Sequence, residues 1–337
     1  MRLRRRQNPN CALSLLVILI MCIFCYGVLR RIKTKQNNNF QVSKFEIRGK
    51  YQLEMFSYKG QSLRPEKKLI CLGYHTSFDN LANLETVLDN WNGTLSFAVF
   101  APHRDFHLTR IFLRWFEHCH PGKMRNSAMH FLTPTSYPRV IIDVPDFEWD
   151  CASASRVLDD LRPFRQEVIF EELPYPQNSL RNAAKRGCES EFSLVLDFDM
   201  VPSRETGRKL ATFLGGEWVK SCTKCVFVVP SFEVEGDVMP GSKEELISLI
   251  SEGRARPYQV KSYPVGQAST KLEQWLEIRN SSEVMGSYQL FAYEYLYEPL
   301  TISRSDVPQF SEMFTGYGMA RYTQVCCHFC LVMYDDL

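Results

Sequence analysis

The sequence has almost no excess charge of either sign. Its 40 Lys and Arg residues against 38 Asp and Glu leave a formal net charge of +2. Charges of both signs are dispersed, which excludes the broad basic face that nucleic acid needs. Proline clusters are also missing. The 17 prolines are scattered and aromatic residues reach 13%, a composition that suits a compact, loop-rich enzyme rather than a disordered scaffold. No internal repeat is present. A zinc ribbon is excluded as well, because Cys222-x-x-Cys225 and Cys327-x-x-Cys330 lie too far apart in sequence. Disulfides or buried thiols are the expectation for the cysteines beyond the N-terminal region: Cys71, Cys119, Cys151, Cys188, Cys222, Cys225, Cys326, Cys327 and Cys330. Their number is odd, so at least one is free or intermolecular.

One long apolar run is present. Arg2, Arg4, Arg5 and Arg6 precede an uncharged stretch from Cys11 to Leu29 that ends at Arg30 and Arg31. As a helix it spans roughly 28 Å, close to the hydrocarbon thickness of a bilayer. The run ends in Gly27-Val28-Leu29-Arg30-Arg31, a poor cleavage site, so an uncleaved anchor is expected. Basic residues nearly balance across it, since Arg30, Arg31, Lys33 and Lys35 follow. Two glycosylation acceptors, Asn92-Gly93-Thr94 and Asn280-Ser281-Ser282, tip the orientation toward a lumenal domain. The expected order is a cytoplasmic tail at 1–10, a signal anchor at 11–29, a polar stem at 30–65 with Gln36-Asn37-Asn38-Asn39, and a lumenal domain at 66–337.

Within that domain, short apolar runs alternate with helical patterns. Lys68–Leu72, Leu95–Phe100, Ala128–Leu132, Arg139–Val144, Glu167–Phe170 and Phe192–Leu196 read as strands. Helices are expected through Leu81, Leu84, Val87 and Leu88, over 108–118, and from Asn178 to Arg186. The alternation predicts an α/β fold with a mostly parallel central sheet, helices on both faces and a ligand site at the carboxyl ends of the strands.

The chemistry concentrates in Leu194-Val195-Leu196-Asp197-Phe198-Asp199-Met200-Val201-Pro202. Side chains alternate along extended backbone, so Asp-x-Asp places two carboxylates on one side. At a strand end they can hold Mg²⁺ or Mn²⁺ bridging two phosphates, or can form no more than a turn. Four further motifs accompany them: Tyr175-Pro176-x-Asn178-x-x-Arg181-Asn182-x-Ala184; Val228-Val229-Pro230-Ser231-Phe232-Glu233; Tyr263-Pro264-x-Gly266-x-x-x-Thr270, with Trp275 and then Tyr297-Glu298-Pro299; and Glu312-x-Phe314-x-Gly316-Tyr317-Gly318. An early segment runs from Thr76-Ser77-Phe78-Asp79-Asn80-Leu81 to Trp91-Asn92-Gly93-Thr94-Leu95-Ser96.

From about Leu69 to Gly318 this set resembles the dystroglycan-type glycosyltransferases, the β-1,4-glucuronyltransferases and the C-terminal catalytic domain of LARGE. The resemblance implies a GT-A-like fold, type II topology in the Golgi membrane, a UDP-sugar donor and Mn²⁺ (or Mg²⁺). It also implies inverting transfer of a glucuronic acid or N-acetylglucosamine type sugar to a glycan acceptor on protein or lipid. Asp197 and Asp199 match its metal pair, Arg181, Asn182 and Thr76 its donor side, and Glu233 its acidic position near the sugar. Glu233 and Glu312 are the candidates for the base that deprotonates the acceptor hydroxyl. The sequence departs from the family at Gln267, where a His is usual. It also departs after Gly318, where Cys326-Cys327-His328-Phe329-Cys330 leads to Leu337 and a truncated or divergent ending is expected. The alternative function is a catalytically inactive family member serving as a lumenal binding or accessory subunit.

Overall fold

A computed structural model describes residues 44–63, 68–144, 151, 153–166, 173–204, 206–236, 238–278, 285–290, 294, 296–316, 320–322 and 324. The expected anchor at 11–29, the strand at Glu167–Phe170, Asn280, Tyr317, Gly318 and the segment Cys326–Leu337 lie outside these residues. Among the described residues, no helix is long and apolar enough to cross a membrane.

Chain order gives β1 (Lys44–Arg48), β2 (Tyr51–Lys59), β3 (Lys68–Ser77), α1 (Leu84–Asn90), β4 (Thr94–Phe100), α2 (Asp105–Cys119), β5 (Ser127–Pro134), α3 (Ala154–Leu161), α4 (Gln177–Gly187) and β6 (Ser190–Asp197). There follow α5 (Thr206–Leu214), α6 (Glu217–Ser221), β7 (Phe227–Val229), β8 (Phe232–Val234), α7 (Lys243–Ser251), β9 (Ala255–Pro257), α8 (Leu272–Glu277) and β10 (Leu300–Arg304). Eight strands form one sheet in the order β1-β2-β5-β4-β3-β6-β10-β7, and β8 pairs with β9 in a second, small sheet.

The α/β class holds, with the sheet mixed rather than mostly parallel. Its centre, β5-β4-β3-β6, is parallel, while β1, β2, β10 and β7 add antiparallel margins. The central strands were legible because β4 and β5 are buried along their whole length, as strands covered on both faces must be. On one face, α4 packs Leu180, Ala183 and Ala184 against Leu53, Met55, Ala98, Phe100 and Leu132. On the other, α2 buries Leu108, Phe112 and Phe116, and Phe106 meets Phe131 edge to face.

Two expectations are corrected. Residues 44–59, expected in the stem, form β1 and β2 and close one margin of the sheet. The alternation in β1 had hidden this: Phe45 and Ile47 are exposed, while Glu46 and Arg48 turn to Arg186 and Glu312. The residues Arg139–Val144 form no strand. Arg139 instead pairs with buried Glu54, and the amide of Ile142 donates to His107 Nδ1, so the segment lies over the start of α2.

Three disulfides answer the cysteine question for the described residues. Cys71–Cys188 ties β3 to the end of α4, Cys119–Cys151 anchors the end of α2, and Cys222–Cys225 closes the turn after α6. Beside the first, Gly187 leaves room for the core: a Cβ there would lie 1.9 Å from His130 Nε2.

His130 is fully buried. Its Nδ1 accepts from the Phe56 amide at 2.8 Å, so Nε2 carries the proton and donates to Ser96 Oγ at 3.0 Å. Burial, helped by the Arg186 charge, pushes its pKa down to about 3 from the ordinary 6.5. The folded state therefore refuses a proton that the unfolded state takes up. The associated stability is complete above about pH 6.5 and declines as pH falls toward 3, by at most about 1.4 kcal/mol per pH unit. Chemical denaturation at pH 7.5, 6 and 5 should show this decline, and His130→Gln should flatten it. Equal slopes in both proteins would contradict the assignment.

Candidate active site

β3 and β6 run side by side in parallel, with His75 in register with Asp197. The turn after β6 is fixed from below. Phe198 is buried and packs edge to face on Tyr74 and Phe97, while the Tyr74 hydroxyl donates to the Met200 carbonyl at 3.0 Å. With Phe198 pointing into the core, period-two alternation turns Asp197 and Asp199 the other way. Asp199 is exposed and Asp197 only partly so.

Asp197 is the meeting point of the site. Its Oδ1 accepts from His75 Nε2 at 2.7 Å, from Arg181 Nη2 at 3.1 Å and from Arg321 Nη2 at 2.7 Å. His75 Nδ1 in turn lies 3.0 Å from the Tyr175 hydroxyl. Burial keeps His75 neutral by lowering its pKa, so Nδ1 accepts from Tyr175 and Nε2 donates to Asp197. Burial also opposes ionisation of Asp197, but the charges of Arg321 and Arg181 and the His75 hydrogen bond hold its pKa well below the usual carboxylate range. Desolvation and the neighbouring Arg321 lower Arg181 to about 10.

Arg181 belongs to a polar stripe on α4. Asn178, Arg181, Asn182 and Lys185 recur at i, i+3, i+4 and i+7, one face of a helix. All four are buried, and they strap down the segment that follows β10. Asn178 donates to the Ser311 and Ala320 carbonyls, Asn182 to the Phe310 carbonyl and Lys185 to the Val307 carbonyl. Gly316, at φ +80°, makes the left-handed turn of this segment, and its amide reaches the Tyr175 carbonyl. Arg321 arrives on the same segment and also donates to the Val195 carbonyl.

The sequence-derived residues separate into distinct places. Asp197 and Arg181 meet, and Asp199 follows two residues on, exposed. Asn182 lies one residue from Arg181 but commits its amide to Phe310 and Glu312. Thr76 is buried, with its hydroxyl on the Ser77 carbonyl. Glu312 is held by Arg48 and Asn182. Glu233 lies on β8 opposite Arg256, bound to that guanidinium and to the Gln259 amide. It shares the neighbour Tyr258 with both aspartates: burial raises that phenol, and the charges of Asp197, Asp199 and Glu233 add to the rise. Asn92 is exposed in the turn between α1 and β4. Gln267 and Thr270 pack on the later motif through the Glu298 carbonyl and the Tyr297 hydroxyl, and Trp275 packs at a tilt against Phe232. His75 and Arg321 were not anticipated. The usable signal for His75 was its place at the end of an apolar strand; Arg321 carried none.

Divalent cations of the Mn²⁺ or Mg²⁺ kind take oxygen ligands and often use only one or two carboxylates plus phosphates and water. Among the described residues no group of three or more His, Cys, Asp or Glu converges as a metal cluster. Asp199 is exposed, and only Oδ1 of Asp197 receives the three donors. This pair fits a cation that brings further ligands with its substrate.

The profile of a family described as "Glycosyl-transferase for dystroglycan" matches residues 69–335. Beta-1,4-glucuronyltransferase 1 of Bos taurus is 31% identical over 267 residues, covering 76% of this chain and 63% of the relative. The Homo sapiens protein of that name is 31% identical over 269 residues with the same coverage. Xylosyl- and glucuronyltransferase LARGE2 of Mus musculus is 22% identical over 264 residues, 77% of this chain and 32% of the relative. The chain thus spans less than two thirds of the length of these relatives. The match takes in the sheet from β3 onward with all of the described helices and leaves out β1 and β2, and the chain belongs to the family of glycosyltransferases for dystroglycan.

Proposed function

We propose that this protein is a metal-dependent, inverting glycosyltransferase that moves a sugar from a UDP-sugar to a glycan acceptor on protein or lipid. The observation that carries the reading is the convergence of two buried arginines on Asp197 at the carboxyl ends of parallel strands, with the exposed Asp199 two residues on. Carboxylates there suit a cation, and guanidinium groups suit phosphate. The relatives named glucuronyltransferases favour glucuronic acid over N-acetylglucosamine as the transferred sugar. A bound Mn²⁺ or Mg²⁺ would neutralise charge building on the departing diphosphate. Asp199 would hold it, with Asp197 beside it. Glu233, bound to Arg256 and the Gln259 amide, and Glu312, bound to Arg48 and Asn182, are the two candidate bases.

The same reading sets the protein in the Golgi membrane, anchored by residues 11–29 with the described domain in the lumen. Three disulfides support an oxidising compartment, and exposed Asn92 supports the orientation. Endoglycosidase treatment of protein expressed in a secretory system should raise its electrophoretic mobility, and Asn92→Gln should remove that shift or part of it. A domain that stays unglycosylated and is digested by protease from the cytosolic side contradicts the topology.

Calorimetry tests the donor site. UDP should bind in Mn²⁺ and lose that binding on chelation. Asp199→Asn should weaken it at least about tenfold, roughly 1.4 kcal/mol. Equal affinity in wild type and variant removes Asp199 from the site. Sugar transfer or donor hydrolysis by the same preparation separates an active enzyme from an inactive family member.

A further inference from the structure

Two guanidiniums on a single carboxylate oxygen are more positive charge than Asp197 needs. Arg181 is almost wholly buried and its Nε has no hydrogen-bond partner, and Arg321 is buried as well. Both arginines reach Oδ1, beside the neutral His75 that fills the third position. A free divalent cation approaching Asp197 therefore meets a carboxylate whose charge is already offset, with two like charges behind it. A cation that arrives with a diphosphate meets a different balance, because the phosphate oxygens give the guanidiniums a second anion to face.

We propose that Arg321, with Arg181, is a selectivity device: it makes the Asp197–Asp199 site reject a free divalent cation and accept the cation only together with a nucleoside diphosphate. This rests on the donor reading above and adds to it a residue and a binding order. Arg321 is well suited to the part. It is carried by the segment after β10 and is fixed at once by the Val195 carbonyl and by Asp197 Oδ1. Charge and geometry are separable in it. Lysine keeps the charge but cannot reach the Val195 carbonyl and Asp197 together as a planar fork does, whereas glutamine removes the charge.

The test uses the full chain and reads binding rather than turnover. Mn²⁺ alone is titrated by its electron paramagnetic resonance signal, and UDP, GDP and CDP are titrated by calorimetry with and without Mn²⁺. The thermal midpoint of each variant is recorded to confirm folding. Wild type should bind free Mn²⁺ weakly and Mn²⁺ with UDP tightly. In Arg321→Gln the two affinities should move in opposite directions: Mn²⁺ alone at least about threefold tighter, and UDP in Mn²⁺ about tenfold weaker, the scale of one charged hydrogen bond. Arg321→Lys should leave free Mn²⁺ binding at the wild-type level. General damage to the fold weakens both affinities together, so parallel losses overturn the proposal, as does a variant that binds both ligands as wild type does. A wild-type protein that prefers GDP or CDP overturns the UDP reading alone, with the variant comparison then made on that nucleotide. Absence of any nucleotide or Mn²⁺ binding overturns both.

Discussion

The carboxylate of Asp197 is the point on which the rest of the site depends. Three elements distant in sequence reach one oxygen atom: His75 from β3, Arg181 from α4 and Arg321 from the segment after β10. A buried or half-buried carboxylate without such partners is costly, and breaking one partner leaves charge uncompensated. The parallel pairing of β3 and β6 sets His75 beside Asp197. The buried Phe198 holds the turn so that the carboxylate cannot rotate into the core. The stripe Asn178, Arg181, Asn182 and Lys185 then brings the late segment across α4, mainly through its backbone carbonyls and also through the Glu312 carboxylate. The late segment is therefore fixed by the same helix that supplies Arg181.

That arrangement also accounts for the motifs that accompany the aspartate pair in the sequence. Tyr175 and Gly316 meet through a backbone hydrogen bond, and Glu312 closes onto Asn182 and Arg48. Gln267, Thr270, Tyr297 and Glu298 form one packed junction. Their polar groups are taken up in holding loops together, which leaves the exposed Asp199 and the partly exposed Asp197 as the groups facing outward. Glu233, held by Arg256 on the small β8–β9 sheet, belongs to a separate platform with its own apolar cluster of Leu246, Leu249 and Ala255.

Much of this was readable from local pattern. The apolar run ending in Asp-x-Asp located β6 and both aspartates, because buried parallel strands are continuous apolar segments with an abrupt end. The helix carrying Arg181 was equally plain. What escaped was whatever depends on pairing over long separations. His75 and Arg321 lie 122 and 124 residues from Asp197, and nothing in their immediate sequence marks either as its partner. The first two strands escaped for a local reason. β1 sits at the sheet margin with Phe45 and Ile47 exposed and charges on the alternate positions, so it reads as polar linker. Arg139–Val144 failed in the opposite sense. Its apolar residues suggested a strand, but Arg139 is drawn to the buried Glu54 and the segment follows the start of α2 instead.

The most direct measurement is a crystal structure of the protein grown with Mn²⁺ and UDP. The account predicts nucleotide density at the carboxyl ends of β3 and β6, a metal on an oxygen of Asp199, and Arg321 or Arg181 turned to a phosphate oxygen. Nucleotide bound elsewhere, or a metal held without either aspartate while Asp197 keeps all three partners, would contradict it.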